Sequence, residues 1–273
     1  MLACVINISE GRRPEVIGEL AAAAGDHCLD VHTDVDHHRS VFTLAGPQVP
    51  DAARALATAA VERLTLTDHD GVHPRIGVVD VVPFVPVAWS APLFDAIGAR
   101  DAFAVWAGDE LGVPCFLYGP NRSLPDIRKH AFVDAAPDTG PRQPHPTAGA
   151  CAVGARGPLV AYNVWLSDPD MERARVIAAG LRGPDVRTLA LRVGDHAQVS
   201  CNLINPARIG PATVYDEVAR RASIARAELV GLPPRAVLDA ISPRRWDELD
   251  LSEARTLEAG LERAGLGGSS ALS

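Results

Sequence analysis

Residues 71–87 read GVHPRIGVVDVVPFVPV, a short polar loop that runs directly into a long apolar segment. Gly71, Gly77 and the proline after His73 disfavour a helix in the loop, because proline restricts the residue before it. The valine-rich run over residues 78–87 predicts a buried strand. His73 is therefore predicted to lie on an ordered loop at the start of a strand, a common position for catalytic side chains.

The segments before this stretch predict an alternation of strands and helices. Apolar runs and Gly/Pro punctuation place strands at residues 4–8, 28–32, 39–45 and 78–87, and helices at 14–24 and 51–66. The order is βαββαβ, a split βαβ or ferredoxin-like arrangement.

The later part of the chain repeats this order. Strands are predicted at residues 159–166, 188–193, 198–204 and 227–231, and helices at 168–181 and 212–223, the first capped by Ser167. Between the two repeats lie a predicted helix at 92–111, a strand at 113–118 and a Pro-rich polar stretch at 120–149. The last of these is long for a connector and is predicted to be a lid or a binding loop.

The predicted fold is therefore α+β, with two ferredoxin-like subdomains, mixed sheets and a shared cleft as the ligand site. The boundaries are predicted at residues 1–155 for the N-terminal subdomain, 156–241 for the C-terminal subdomain and 242–273 for a C-terminal helix and flexible tail. One more helix is predicted over residues 246–264. Residues 265–273 have no periodic apolar face and are predicted to be dispensable.

The composition of the chain argues against several classes of protein. The 273 residues contain no run of about 18 apolar residues, and the N-terminus has no basic region followed by an apolar core. Five scattered cysteines without a Cys-x-x-Cys pair argue against zinc ribbons and disulfide frameworks, which favours a reducing cytoplasm. The net charge of -8 and an aromatic content of 5% disfavour nucleic-acid binding. We therefore expect a cytoplasmic protein with small-molecule substrates, away from membranes.

Several motifs identify a family. The stretch at residues 71–87 resembles the signature of the formiminotransferase domain, and CVINISEGR at 4–12 is similar to the family's opening strand and loop. Further resemblances lie at residues 110–119, 161–166, 198–203 and 228–234. The chain is identified as a member of the glutamate formiminotransferase (formimidoyltransferase) family, as the transferase domain without the cyclodeaminase half.

The resemblance implies a fold and an activity. It implies two subdomains with tetrahydrofolate, the acceptor co-substrate, bound between them, and transfer of the formimino group from N-formimino-L-glutamate to N5 of tetrahydrofolate. The family's catalytic histidine matches His73. Cyclodeaminase activity is not expected, no metal is implied, and the paired sheets of family members are compatible with a homodimer.

The chemistry explains which other residues are candidates. Attack of N5 on the amidine carbon requires one proton to be removed and one delivered, which a histidine of near-neutral pKa can do in turn. A carboxylate is needed for the cationic amidine, from Asp34, Asp36 or Asp80. Arginine forks are needed for the substrate carboxylates, from Arg12, Arg39 or Arg75. The remaining candidate substrate-binding residues are polar side chains at Asn7, Ser9, Asn163 and Asn202.

Several of these candidates have a structural alternative. Asp80 alternates within a strand and can bond a backbone amide, and Arg39 can be a solvated surface arginine. Asn7 and Ser9 can shape a turn or cap the helix at residue 14. The asparagines 163 and 202 lie in apolar strands and can be satisfied core amides.

Two departures from the family pattern leave the donor open. His38 stands where bacterial relatives usually have asparagine, and His32 stands where relatives fused to cyclodeaminase have aspartate. Formyl transfer between 5-formyltetrahydrofolate and glutamate and a non-catalytic folate-binding protein are therefore alternatives.

A metal-dependent hydrolase is a further alternative, since His32, Asp34, Asp36, His37 and His38 form a ligand-rich cluster. Adjacent histidines on a strand point to opposite faces, which argues against a shared ion at residues 37 and 38. The helical zinc spacing of residues 69 and 73 is disfavoured by the glycine and proline nearby. No metal is therefore predicted.

Overall fold

The computed structural model describes residues 1–67, 69–88 and 91–267. The chain divides into two units. Unit 1 comprises Met1–Gly157 together with the chain end from Ala264, and unit 2 comprises Pro158–Arg263. None of the helices in the described part of the chain is long and apolar enough to cross a membrane.

Unit 1 is built on a mixed sheet. Its strands are β1 (Leu2–Ile8), β2 (Cys28–Asp34), β3 (Arg39–Gly46), β4 (Val79–Pro86), β5 (Cys115–Tyr118) and β6 (Cys151–Ala155). Its helices are α1 (Pro14–Ala24), α2 (Val49–Arg63), α3 (Phe94–Glu110) and α4 (Leu124–His130). The sheet order is β2-β3-β1-β4-β6-β5. The first four strands are antiparallel to their neighbours in the order of a split βαβ unit, and β6 runs parallel to both β4 and β5.

The strand that follows the His73 loop lies in the middle of this sheet. All eight residues of β4 are buried, because β1 and β6 flank it and both of its faces are covered. That environment explains its continuous apolar sequence, which is typical of strands buried on both faces. The strand β6 was not predicted, because its five small apolar residues directly follow the Pro-rich stretch and show no alternation.

Unit 2 repeats the same topology on a smaller scale. Its strands are β7 (Val160–Leu166), β8 (Val186–Val193), β9 (His196–Leu203) and β10 (Ile224–Val230). Its helices are α5 (Met171–Leu181), α6 (Pro211–Ala219), α7 (Arg235–Asp239) and α8 (Leu257–Arg263). The order β10-β7-β9-β8 confirms the second split βαβ unit. Every strand pair in this sheet is antiparallel, so the prediction of a mixed sheet holds for unit 1 and is wrong for unit 2.

The helix α5 begins later than predicted. Its N-cap is Asp170, whose carboxylate accepts a hydrogen bond from Arg173 N at 2.9 Å, and not Ser167. Pro169 explains the shift, because the residue before a proline is pushed out of the helical region.

The predicted helix over residues 246–264 is also interrupted. Short 3₁₀ turns at Pro243–Arg245 and Glu253–Arg255 precede α8. Asp250 adopts a φ of 53°, which a continuing right-handed helix excludes. Its carboxylate instead accepts hydrogen bonds from Leu229 N at 2.8 Å and Arg255 Nη1 at 2.7 Å. Residues 242–263 thus form part of unit 2, where Leu249 and Leu251 are buried.

The chain end returns to unit 1. Leu266 is half-buried, and a Cβ placed on Gly46 would lie 3.1 Å from its Cδ1 atom. The start of the segment predicted to be dispensable therefore packs against the end of β3. Residues 268–273 of that segment lie outside the described residues.

Candidate active site

The loop that carries His73 is fixed at both ends by backbone contacts. At its end, Ser9 N donates to Val78 O at 2.8 Å and Ser9 Oγ donates to Gly77 O at 2.8 Å. Gly77 is required there by space, since a Cβ at this position would lie 1.8 Å from Ala150 O. Ser9 is buried and holds the loop, which is a structural role other than the turn or helix cap considered for it, since α1 has no side-chain cap.

The start of the loop lies against the turn between β2 and β3. Val72 N donates to Asp36 O at 3.2 Å. A Cβ on Gly71 would lie 2.4 Å from His37 O, so only glycine permits this close approach. The two glycines of the motif therefore serve packing of the loop against neighbouring backbone.

The imidazole of His73 contacts an arginine. Its Nε2 atom lies 2.8 Å from Arg39 Nη1. Because a guanidinium only donates, Nε2 accepts this hydrogen bond and the neutral ring carries its proton on Nδ1. The ring of His37 lies 5.8 Å away between centroids.

The surroundings of His73 favour its neutral form. Burial, followed by the positive charges of Arg39 and Arg128 and by His37, lowers the pKa of His73 far below its ordinary value. The near-neutral pKa predicted from the sequence is therefore wrong for the free protein. The ring is therefore neutral at neutral pH but is a weak base while it is buried beside these positive charges.

Arg39 lies at the first position of β3, opposite Asp34 on β2. Burial lowers the pKa of Arg39 to about 10, so its guanidinium stays charged at neutral pH. Its Nε atom is buried and has no hydrogen-bond partner among the described residues. This is not the solvated surface arginine considered as an alternative.

Asp80 has partners inside unit 1. The side chain is 2% exposed, and its Oδ2 atom lies 2.6 Å from Arg128 Nη2 while Oδ1 accepts from Ile76 N at 2.7 Å. Arg128 also donates to Pro74 O at 2.7 Å. Asp80 and Arg128 together thus anchor the loop on both sides of residue 75.

Arg128 was missed in the sequence. It lies on α4, within the stretch predicted to be a lid or binding loop. The signal was present, because Ser123 and Asp126 form a capping box that marks a helix start: Asp126 N donates to Ser123 Oγ at 3.3 Å and Ser123 N donates to Asp126 Oδ2 at 3.2 Å. The last turn of that helix is basic and contains Arg128, which could therefore have been considered as a candidate.

Arg75 connects the loop to the β2–β3 turn. Its Nη2 donates to His37 O at 2.7 Å and to His73 O at 2.9 Å, and its Nη1 donates to His38 O at 3.1 Å. The same Nη1 atom lies 2.8 Å from His69 Nε2. These contacts hold the His73 loop against the β2–β3 turn.

The other predicted residues of unit 1 surround this group. Asp34 Oδ1 accepts from His37 N at 2.7 Å and so shapes the β2–β3 turn, in which Asp36 is exposed. Arg12 is exposed and pairs with Asp70 at 2.7 Å. Asn7 donates to Val5 O at 3.3 Å within its own strand.

A depression of about 390 Å³ lies beside Arg12 in unit 1. Its lining consists of Ser9, Glu10, Arg12, Arg13, His38, Thr65, Thr67 and His69. The rings of His38 and His69 lie 4.1 Å apart, and burial is the main cause that lowers the pKa of each. Burial alone would raise the pKa of Glu10, but hydrogen bonds from the Arg12 and Arg13 amides and the Arg13 side chain hold it below its usual value.

His38 has an unusual backbone conformation. Its φ of 47° lies in the left-handed region, which asparagine tolerates more readily than most residues. Gly11 N donates to its Nδ1 atom at 3.1 Å. The asparagine that the family pattern has here therefore fits the backbone of this turn.

Unit 2 carries a polar group on the sheet face opposite its helices. Asn163 Nδ2 and Trp165 Nε1 donate to Glu228 Oε2 at 2.9 and 3.1 Å, which supports the satisfied-amide alternative for Asn163. Arg226 lies over the Trp165 ring at 3.9 Å. Asn202 is exposed on the same face.

Gln198 lies opposite Trp165 on the same face but has no hydrogen bonds of its own amide among the described residues. It is 0% exposed, and neither end of its amide has a hydrogen-bond partner among the described residues.

Replacing Gln198 with methionine is expected to raise the free energy of unfolding by roughly 1 to 3 kcal/mol, because an unsatisfied buried amide is removed at similar volume. Urea denaturation checks this. Asn163→Leu is the matched control and should lower the free energy of unfolding, because the amide of Asn163 donates a hydrogen bond to Glu228. A lower free energy of unfolding in Gln198→Met would contradict the expectation.

No group of three or more His, Cys, Asp or Glu side chains within residues 1–67, 69–88 and 91–267 is arranged to hold a metal ion. Three residues of the ligand-rich cluster, Asp34, His37 and His38, contact other protein groups. His37 Nδ1 lies 3.8 Å from Asp34 Oδ2, while His38 stacks on His69.

Comparison with known proteins shows the family of the chain. The model of the formiminotransferase domain, N-terminal subdomain, matches residues 1–156. The chain belongs to the formiminotransferase family. This confirms the family predicted from residues 71–87 and the other motifs.

Relatives match over most of the chain. It is 35% identical to glutamate formimidoyltransferase of Streptococcus pyogenes serotype M1, over 88% of this chain and 91% of that protein. It is 33% identical to glutamate formimidoyltransferase of Thermoplasma acidophilum, over 97% of this chain and 98% of that protein. Formimidoyltransferase-cyclodeaminase of Sus scrofa is 34% identical over 88% of this chain, and the match spans 51% of that longer family member.

Proposed function

We propose that this chain transfers the formimino group of N-formimino-L-glutamate to N5 of tetrahydrofolate, giving 5-formiminotetrahydrofolate and glutamate. One observation carries the proposal within this family: a neutral imidazole at His73 lies beside Arg39, a charged arginine with an unpartnered donor. A proton acceptor next to an anion-binding group is what this transfer requires.

His73 is the acid/base residue of the proposed reaction. The N5 lone pair attacks the amidine carbon, and a tetrahedral intermediate forms as the C=N π electrons move to nitrogen. The imidazole takes the proton from N5 and delivers it to the glutamate nitrogen, whose bond to carbon then breaks. Such proton transfer contributes roughly 10²- to 10⁴-fold to the rate.

Arg39 and Arg12 are proposed to bind substrate carboxylates, and Asp34 or Asp36 the cationic amidine. Arg39 has a donor free for this purpose, and both Arg12 and Asp36 are exposed. We assign Asp80 and Arg75 to holding the His73 loop, since their polar atoms already bond protein groups. Asn7, Ser9 and Asn163 likewise bond protein groups, and Asn202 is kept as a substrate contact.

The proposed reaction needs tetrahydrofolate as co-substrate and involves neither a metal nor nucleic acid. We also propose a cytoplasmic location and a homodimer. Light scattering of the purified protein tests the homodimer.

The proposed activity is tested by glutamate release. The purified chain is incubated with N-formimino-L-glutamate, with and without tetrahydrofolate, and the products are followed by mass spectrometry. We expect release of glutamate and formation of 5-formiminotetrahydrofolate only when both substrates are present. A second arm supplies 5-formyltetrahydrofolate and glutamate, and faster turnover there would favour formyl transfer.

Two other outcomes would contradict the proposal. Release of glutamate without tetrahydrofolate would indicate a hydrolase. Tight binding of tetrahydrofolate without turnover of either donor would indicate a folate-binding protein that is not an enzyme.

A further inference from the structure

The lone pair of His73 is occupied in the free protein. Arg39 Nη1 donates to Nε2 at 2.8 Å, and Nδ1 of the neutral ring carries the proton. Neither nitrogen can then accept a proton from a substrate while this hydrogen bond is in place. In the free protein, the hydrogen bond from Arg39 therefore prevents the proposed base from accepting a proton.

The other edge of the same guanidinium lacks an acceptor. Arg39 Nε is buried without a partner, and no carboxylate among the described residues lies within ion-pair distance of Arg39. The Nε and Nη2 edge of a guanidinium matches the two oxygens of a carboxylate. Because a buried donor without an acceptor is unfavourable, this edge is suited to an incoming anion.

Resting on the proposed function, we propose that Arg39 couples carboxylate binding to proton transfer: a substrate carboxylate that binds the free edge of Arg39 draws its guanidinium away from Nε2 and frees the His73 lone pair. Arg39 is thus a positioning residue for His73 as well as an anion-binding residue. The base would be available only when the anionic substrate is bound.

The charges around His73 are consistent with this coupling. Arg128 on α4 is matched by Asp80 on β4 at 2.6 Å, and Arg75 in the loop bonds backbone carbonyls. Asp34 on β2 and His37 in the turn engage each other. Arg39 on β3 is therefore the cation beside His73 that a carboxylate would newly neutralise, and its neutralisation would raise the pKa of His73.

The test is the titration of His73, followed by nuclear magnetic resonance of the imidazole nitrogens. In the wild type without ligand, we expect a neutral ring with its proton on Nδ1 across the neutral range. Saturating L-glutamate is expected to raise the proton affinity of His73 at least tenfold. In Arg39→Gln, the proton affinity should already be raised without glutamate and should respond little to its addition.

Two further variants complete the design. Arg54→Gln, which removes a partly exposed arginine paired with Asp51, should titrate like the wild type. Arg39→Lys keeps the charge but not the fork, so His73 should stay neutral and lose most of its response to glutamate. This variant also tests the coupling if Arg39→Gln does not fold.

Two results would overturn the coupling. One is an Arg39→Gln titration equal to that of the wild type, and the other is a wild-type titration that glutamate does not move at any concentration. The measurement needs neither tetrahydrofolate nor turnover. A failure of the proposed function in the glutamate-release assay is therefore seen separately from a failure of the coupling.

Discussion

Replacing His73 with alanine is expected to lower kcat by roughly 10² to 10⁴ while tetrahydrofolate still binds. Acid/base catalysis acts in the transition state, so ground-state affinity should change little. The loop itself should persist, because Arg75 bonds the backbone carbonyl of residue 73 and not its side chain. Steady-state kinetics and a fluorescence titration of folate binding measure the two quantities.

His73→Gln is the matched control for this experiment. Glutamine has a similar length and can accept the hydrogen bond from Arg39, but it cannot carry a proton at neutral pH. Both variants should therefore be equally slow if His73 transfers protons. If the glutamine variant, or the alanine variant, keeps more than about a third of the wild-type kcat, well outside the range for a lost general base, the assignment is wrong.

The pH dependence of the wild type follows from the lowered pKa of His73. The profile of kcat/KM reports the free enzyme, in which burial and Arg39 keep this histidine neutral. We therefore expect no limb from His73 between about pH 6 and 8 in that profile. The sequence alone led us to expect a near-neutral pKa for His73, because it shows neither the burial of the ring nor how near Arg39 and Arg128 lie to it.

The order of the elements could be predicted because it depends on local patterns. Valine-rich runs such as residues 78–87 and the proline at the start of α1 act within a few residues. The strand β6 could not be predicted in this way, since its pairing with β4 and β5 decides its conformation. The break near Asp250 likewise depends on a hydrogen bond to Leu229, 21 residues away.

The members of the site could be predicted better than their roles. The motif drew attention to Arg75 and Asp80 as candidates for substrate binding. Their partners, His37 and Arg128, are 38 and 48 residues away in sequence, and these contacts turn both residues into supports of the His73 loop. Arg39 differs from both, because its Nε atom has no partner among the described residues, and this supports the role toward substrate that we propose for it.

The support of the loop by Asp80 leads to a large expected loss of stability. Asp80→Asn should lower the free energy of unfolding by about 3 kcal/mol, the lower end of the range for breaking a buried ion pair. The lower end applies because the Arg128 side chain is 20% exposed and can be partly solvated. Urea denaturation should show a lower midpoint with an unchanged slope.

Two controls separate the charge of Asp80 from its packing. Asp134→Asn breaks the exposed pair with His130, and its effect should stay within about 0.5 kcal/mol because such pairs contribute little. Asp80→Leu combined with Arg128→Met should regain most of the stability, since apolar side chains replace the pair and no buried charge is left unpaired. Turnover of the double variant should stay low, because Pro74 O and Ile76 N lose the partners that hold the His73 loop. Full activity in that stable double variant would show that the anchoring of the loop by Asp80 and Arg128 does not matter for catalysis.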